Sequence, residues 1–361
     1  MDGTGVDGVR SGITRDALTA VTRAAFGPGR VLTGAERLRG GSKKGVYRLT
    51  FDDAATAVLY SWDASENFWP ARPAGASTED MAADPFADAT GFDLFTTAQR
   101  RLSGLGVRAP RVFLADASRT LLPAEVAVVE DLRGGSLEEL LRSDRAAARP
   151  VMARLAEQLA VLQAARGPAF GKVAHVAAGG GAGQGRTCEA AVLERALRDI
   201  EEAAALDGRV AAARGPLTEA VRELAAAVQP RTEYGLIHGE LGPDHVLVDP
   251  DGHPVLIDIE GLMYFDIEWE HVFLRMRFHE DYAPLSRAGL DEDRLRFYRL
   301  ATHLSLVAGP LRLLEGDFPD RDFMKAIVET HLGHALDRLA PPIRARKAAE
   351  SARNAMPVPK S

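Results

Sequence analysis

Apolar and polar positions alternate over residues 37–59, broken at Gly40, Gly41, Ser42, Lys43, Lys44 and Gly45 and again at Asp52 and Asp53, a period of two that predicts consecutive antiparallel strands. Residues 63–91 carry Pro70, Pro73 and Pro85 and are too broken for a long helix, whereas 92–102 sets Phe92, Phe95 and Leu102 at helical spacing. Strand-like runs follow at 111–114 and 125–132. Gly134 and Gly135 interrupt the chain, and from Ser136 the period turns helical through Leu137, Leu140 and Leu141, then over 152–162, 189–206 and 217–228. A β-type block fills 235–259, and helical patterns return at 295–314 and 323–339. Strands first and helices afterwards predict an α+β chain: an N-terminal segment 1–33, a small β-rich lobe 34–133, a larger mainly helical lobe 134–340, and a tail 341–361. No internal repeat is visible.

At 361 residues and 46% hydrophobic content the chain can bury a large core or two lobes sharing a cleft. No run of about eighteen apolar residues occurs and the first residues have no basic-then-apolar signal pattern, so no membrane association and a cytoplasmic location are expected. The single cysteine, Cys188, rules out an internal disulfide and argues against structural zinc. A net charge of −7 offers no general attraction to nucleic acid, although Arg344, Arg346 and Lys347 form a local basic run. Residues 177–185 are glycine-rich, but no strand leads in and no Lys-Ser/Thr closes the stretch, so it reads as a linker and not a phosphate-binding loop.

The chemistry concentrates in 236–260. Two short apolar runs there hold His238, Glu240, Asp244 and His245 before one, and Asp258 and Glu260 after the other. Phosphoryl transfer needs a carboxylate to orient a hydroxyl and oxygen ligands to hold magnesium against phosphates, and a loop-strand-turn-strand unit supplies both compactly.

His238-Gly239-Glu240 followed by Ile257-Asp258-Ile259-Glu260 resembles the aminoglycoside phosphotransferase and choline kinase-like family, whose pattern is H-G-D-x-x-x-x-N followed by D-x-[DE]. The resemblance implies a bilobal protein-kinase-like fold that binds ATP or GTP with Mg2+. It puts Glu240 at the catalytic base and His238 beside it as a structural marker of the loop, within a catalytic loop 236–249. It puts Asp258 and Glu260 at the metal, on a strand 255–260, with His245 and Asp244 as further candidate ligands. Gly40, Gly41, Ser42, Lys43 and Lys44 are similar to the family's nucleotide loop, and Glu130, Asp131 and Leu132 look like its hinge. Phe265, Asp266, Ile267, Glu268 and Trp269 resemble the segment after the metal triplet.

Three positions depart from the pattern. Glu240 stands for Asp, His245 for Asn, and Tyr60 for the third-strand lysine that contacts phosphates. An extra methylene shifts a carboxylate by about an ångström, a displacement able to cost about a hundredfold in rate. Imidazole is a poor ligand for magnesium, so Asp244 or Glu260 is expected to replace it. Lys43 or Lys44 is expected to reach the phosphates, and Asp93 is the nearest helix carboxylate to pair with such a lysine.

The resemblance implies a phosphotransferase acting on a small-molecule hydroxyl, aminoglycoside- or antibiotic-like. Alternatives are a kinase for Ser/Thr of a ribosomal precursor peptide, with a lyase partner, and a pseudokinase scaffold. A metal hydrolase on His238, His245, His253 and Asp258 would need a convergence that strand alternation does not provide. The aromatic stretch Tyr60, Trp62, Phe68 and Trp69 fits either a recognition surface or packing of the small lobe.

Overall fold

The computed structural model describes residues 13–38, 41–70, 84–86, 89–180 and 186–339. Gly40, Pro73, the tail 341–361 with its basic run, and the end of the glycine-rich stretch lie outside the described residues.

The chain begins with a helix the hydropathy pattern did not suggest, α1 (Arg15–Phe26), capped by the Thr14 side chain. Five strands follow: β1 (Leu32–Arg37), β2 (Gly45–Phe51), β3 (Thr56–Ser61), and, after α2 (Phe92–Gly104), β4 (Val112–Asp116) and β5 (Val126–Glu130). They form one antiparallel sheet in the order β1-β2-β3-β5-β4. The period of two divides β3 between two cores: Ala57 and Leu59 join Leu18 and Val21 of α1, whereas Val58 and Tyr60 face Phe95 and Leu102 of α2. Both faces of the sheet are therefore covered by helices, which is why β3 reads as nearly continuous apolar sequence.

Beyond the sheet lie α3 (Leu137–Ser143), α4 (Arg145–Ala164), β6 (Arg166–Gly167), β7 (Gly171–Lys172) and α5 (Val173–Ala177). Then come α6 (Cys188–Leu206), α7 (Gly208–Ala226), β8 (Tyr234–Ile237), β9 (Val246–Val248), β10 (Pro254–Leu256) and β11 (Met263–Phe265), followed by α8 (Ile267–Phe278), α9 (Glu292–Glu315) and α10 (Arg321–Asp337). Ser136 and Glu139 form a reciprocal capping box that starts α3. The connector just before it is tight: a Cβ on Gly134 would lie 2.1 Å from the Val248 carbonyl oxygen, and the Val248 N–H donates to the Gly135 carbonyl.

The aromatic stretch after β3 packs instead of projecting. Tyr60 and Phe68 are buried, and Phe68 joins Leu313 of α9 and Met324 of α10 in a small apolar cluster. Trp69 lies on α9 over Gly309. The segment between sheet and α2 thus fastens the small lobe to the far helices.

Arg294 of α9 is wholly buried and organises the helical lobe from within. Its guanidinium bonds Asp266, the Tyr298 hydroxyl at 3.0 Å, Glu189 at 3.4 Å and the Gln229 carbonyl at 2.5 Å. Burial pushes the Asp266 carboxyl up to about 6 despite the opposing Arg294 charge. Breaking one side of such a buried pair costs about 3–5 kcal/mol. Arg294→Met should therefore lose stability of that order in urea unfolding; a loss below about 1 kcal/mol would show that the network contributes no more than a surface pair.

Candidate active site

β8 delivers the chain into the loop at His238, and α8 holds that loop from beneath. Glu270, fully buried, accepts the backbone N–H groups of His238 at 2.5 Å, Gly239 at 3.0 Å and Leu241 at 3.3 Å, while the Trp269 indole donates to the Gly239 carbonyl. Gly239 has φ +97°, a conformation suited to glycine, and its carbonyl faces the indole. His238 Nε2 donates to the Ile257 carbonyl at 2.9 Å, tying the loop to the strand end that carries Asp258. Glu240 is exposed, and its carboxylate makes no hydrogen bond or ion pair among the described residues.

β10 ends at Leu256, and Asp258 turns the chain with φ +57°, a left-handed conformation that Asp tolerates better than most residues. Asp258 and Glu260 then converge on one cation. Lys44, on the turn between β1 and β2, places Nζ 3.0 Å from Asp258 Oδ1 and in hydrogen-bond contact with Glu260 Oε1. Lys44 and Glu260 are buried, whereas the Asp258 side chain is half exposed. Burial works against charge on Lys44, but Glu260 and Asp258 outweigh it and hold the ammonium above its ordinary range; the Lys44 charge holds Asp258 below the usual carboxylate range. The other oxygen of Glu260 is buried without a hydrogen-bond partner.

Tyr60 sits on β3 where the family pattern has lysine, and its ring centroid lies 5.0 Å from the Lys44 ammonium. Burial pushes the phenol up to about 12, so it stays neutral. α2 faces it with Phe95, the ring centroids 5.5 Å apart, and Asp93 is exposed. The expected helix carboxylate is thus replaced by an aromatic contact.

The turn bearing Lys44 is held on three sides. The Ser42 carbonyl accepts the Phe68 N–H, Ser42 Oγ accepts the Trp69 indole N–H, and the Lys43 carbonyl accepts the Thr90 hydroxyl. Gly41 supplies the positive φ of +76°. Lys43 is partly exposed, with its Nζ 5.4 Å from the Trp69 ring centroid, and it makes no ion pair with Asp258 or Glu260. The adjacent lysines therefore have different environments.

The hinge and the other candidate ligands are committed elsewhere. Glu130 pairs with Arg108 at 3.1 Å, and Asp131 forms a two-point contact with Arg48 at 2.7 and 3.2 Å. Leu132 is buried. Asp244 pairs with Arg277 at 2.8 Å, and His245 Nδ1 donates to the Glu240 carbonyl at 3.0 Å. Among the described residues, His245 and Asp244 do not join Asp258 and Glu260 in a set of three ligand atoms within 4.8 Å; the one such set is Asp249, Asp251 and His253, where Asp249 closes a turn by accepting two backbone N–H groups.

Sequence reasoning missed Glu270, Arg277, Arg48 and Arg108. The available signal was an acid with apolar neighbours and no cation four residues away: Glu270 has Asp266 and Leu274 at those positions. Glu270→Gln keeps the shape but removes the charge from a three-donor site, and should lower stability by about 1–3 kcal/mol in urea unfolding; unchanged stability would show that the loop does not need the carboxylate.

The Phosphotransferase enzyme family (APH) profile matches residues 36–305. Among curated proteins none matches this chain. Among solved structures, a thermostable mutant of aminoglycoside phosphotransferase APH(4)-Ia in ternary complex with AMP-PNP and hygromycin B superposes with TM-score 0.58 at 17% identity, covering 87% of this chain and 97% of its own. Choline kinase LicA from Streptococcus pneumoniae gives 0.58 at 12% identity, with 89% and 98% covered. Spectinomycin phosphotransferase APH(9)-Ia, bound to AMP, gives 0.56 at 13% identity, with 87% and 93% covered. With the family match spanning the sheet, the loop and most of α9, this chain belongs to the phosphotransferase enzyme family and has the protein-kinase-like, α+β fold.

Proposed function

We propose that the chain binds a nucleoside triphosphate, ATP or GTP, and passes its γ-phosphoryl group to a hydroxyl of a small molecule. The observation that supports this reading most is the Lys44 ammonium between Asp258 and Glu260, with Glu240 unpaired on the neighbouring loop. A cation for phosphates, two carboxylates and a free carboxylate are the parts that phosphoryl transfer requires.

Asp258 and Glu260 fit Mg2+, since both offer hard oxygen donors and one buried Glu260 oxygen has no other partner. When bound there, the ion would neutralise phosphate charge. Lys44 takes the role of the missing third-strand lysine, holding phosphate oxygens by charge. Glu240 orients the acceptor hydroxyl and receives its proton as the oxygen attacks phosphorus. The structural neighbours that bind ADP, AMP-PNP or AMP are consistent with the nucleotide part of this reading.

Calorimetry with ATP and GTP, with and without Mg2+, tests it. Wild type should bind with a magnesium dependence that Asp258→Ala abolishes; a wild type that binds no nucleotide would leave a pseudokinase scaffold. Lys44→Met should weaken nucleotide binding by about tenfold or more, the loss of one charge-assisted contact, while Lys43→Met changes it little. Because Lys44 neutralises the metal carboxylates, the same Lys44→Met change should tighten binding of Mn2+ alone, read by electron paramagnetic resonance. Equal effects of the two lysine variants on nucleotide would refute the assignment. Glu240→Gln should lower turnover by about 10²–10⁴ with nucleotide affinity retained; undiminished turnover would remove Glu240 from the chemistry.

A further inference from the structure

Behind the nucleotide turn lies a buried carboxylate with no part in phosphoryl transfer itself. Glu66 ends a single 3-10 turn, Ala64–Glu66, shortly after β3, and Asp63 caps that turn by accepting the Ser65 N–H at 2.8 Å. The Glu66 side chain has no exposed surface. Arg37 donates to its Oε2 through Nε at 3.2 Å and Nη2 at 2.9 Å, and the Tyr47 hydroxyl donates to Oε1. Arg37 closes β1 and Tyr47 lies near the start of β2, so the two oxygens hold the two strands that flank the turn bearing Lys43 and Lys44.

The fit extends to the turn itself. A Cβ on Gly45 would lie 2.9 Å from Glu66 Cδ and 2.7 Å from Tyr47 Cε2, so the backbone just after Lys44 rests directly on this pair. Phe68 covers the Arg37 guanidinium with its ring centroid 5.9 Å away, and its N–H bonds the Ser42 carbonyl on the other side of the two lysines. Segment 63–69 therefore grips the turn from both sides. Phe68 ties that grip to α9 and α10 through Leu313 and Met324. Among the described residues no hydrogen bond or ion pair joins Glu66 to Lys44, whose own partners are Asp258 and Glu260.

Packing alone does not account for charge at this place. Taking a carboxylate and a guanidinium out of water is costly, and a well-packed apolar pair of similar volume is often as stable or more so. What charge-assisted hydrogen bonds add is a fixed direction and distance. Here they fix β1 against β2 at the root of the turn, from which Lys44 must place its Nζ between Asp258 and Glu260 of the other lobe. A small change in the splay of the two strands would be carried to the tip of that side chain.

We propose that Glu66 is a positioning residue for phosphate binding: through Arg37, Tyr47 and Gly45 it sets the turn so that the Lys44 ammonium reaches the strand end bearing Asp258 and Glu260. The role toward phosphate rests on the phosphotransferase reading above; the coupling of Glu66 to Lys44 does not. Where the family pattern expects a helix carboxylate to hold a third-strand lysine directly, this chain holds a turn lysine indirectly, by a carboxylate behind the turn.

Acylation of the native protein by acetic anhydride, without metal or nucleotide, reads the coupling, with Lys43 as the internal reference resolved by tandem mass spectrometry. Lys44 should label more slowly than Lys43 in wild type, and the Lys44-to-Lys43 ratio should rise by about threefold or more in Glu66→Gln. Tyr47→Phe, which removes one hydroxyl and keeps the ring, takes its place should that variant fail to fold. Arg294→Met, which loosens the helical lobe instead, should leave the ratio unchanged. An unchanged ratio in the Glu66 or Tyr47 variant, or an equal rise in Arg294→Met, overturns the proposal. Calorimetry with ATP and Mg2+ then reads the role toward phosphate: Glu66→Gln should weaken binding by about threefold to tenfold when Lys44 is present and leave it unchanged in Lys44→Met. Equal weakening in both backgrounds, or none in either, overturns that role. A wild type that binds no nucleotide sinks the phosphotransferase reading, while the labelling ratio still decides whether Glu66 sets Lys44.

Discussion

One ammonium group fixes the geometry of the cleft. Asp258 and Glu260 stand close together at the end of a strand, one of them buried, and two such carboxylates repel each other by several kcal/mol unless a cation lies between them; at a separation of about 4 Å, unit charges interact by about 4 kcal/mol even near a protein surface. Lys44 supplies the cation from a different lobe. The glycine-containing turn must therefore be closed over the strand end, and the hydrogen bonds from Phe68, Trp69 and Thr90 to that turn are what keep it there. A loop that in isolation would be a solvated pair of lysines becomes a fixed part of the site because the segment after β3 is anchored on α9 and α10.

The rest of the cleft is held by charges that are themselves spent. Glu270 consumes the backbone donors of the His238–Leu241 loop, and Arg108 joins Glu130 of β5 to Asp249 of the β9–β10 turn across the lobes. Arg48 likewise fixes Asp131 against β2. With their carboxylates engaged, the hinge residues have only backbone groups left to offer a ligand. Glu240 differs in kind. Its side chain is exposed and unpaired among the described residues.

Local signals made much of this legible. Period-two alternation marked the sheet, helical spacing marked α2, α6, α9 and α10, and the spacing of His238, Glu240, Asp258 and Glu260 marked the loop and strand end. The pattern was silent where the answer depends on residues far apart in the chain. Nothing near Lys43 and Lys44 tells them apart, because the difference is made by Trp69 on one side and by Asp258 and Glu260, more than two hundred positions away, on the other. Asp244 looked like a candidate ligand until Arg277 claimed it, and α1 escaped notice because its buried face is only Leu18, Val21 and Thr22, too few apolar residues to stand out. The aromatic stretch could not be read as surface or core before α9 offered the glycine that Trp69 covers.

The departures from the family pattern are also not independent of one another. If the site had simply decayed, charges at the cleft mouth would be lost without replacement. Instead, Tyr60 stands where the resemblance places a lysine, and Lys44 brings an ammonium from the neighbouring turn to within 5.0 Å of its ring. An ammonium also present at position 60 would have to share the same two carboxylates, so the tyrosine and the loop lysine make sense as a matched exchange. His245 acts on the loop in another way, donating to the carbonyl of Glu240 and so setting the backbone from which the longer carboxylate projects. The cation is the one departure met by a nearby gain of the same physical kind: His245 brings no ligand atom to Asp258 and Glu260, and where a helix carboxylate was expected Phe95 packs on Tyr60.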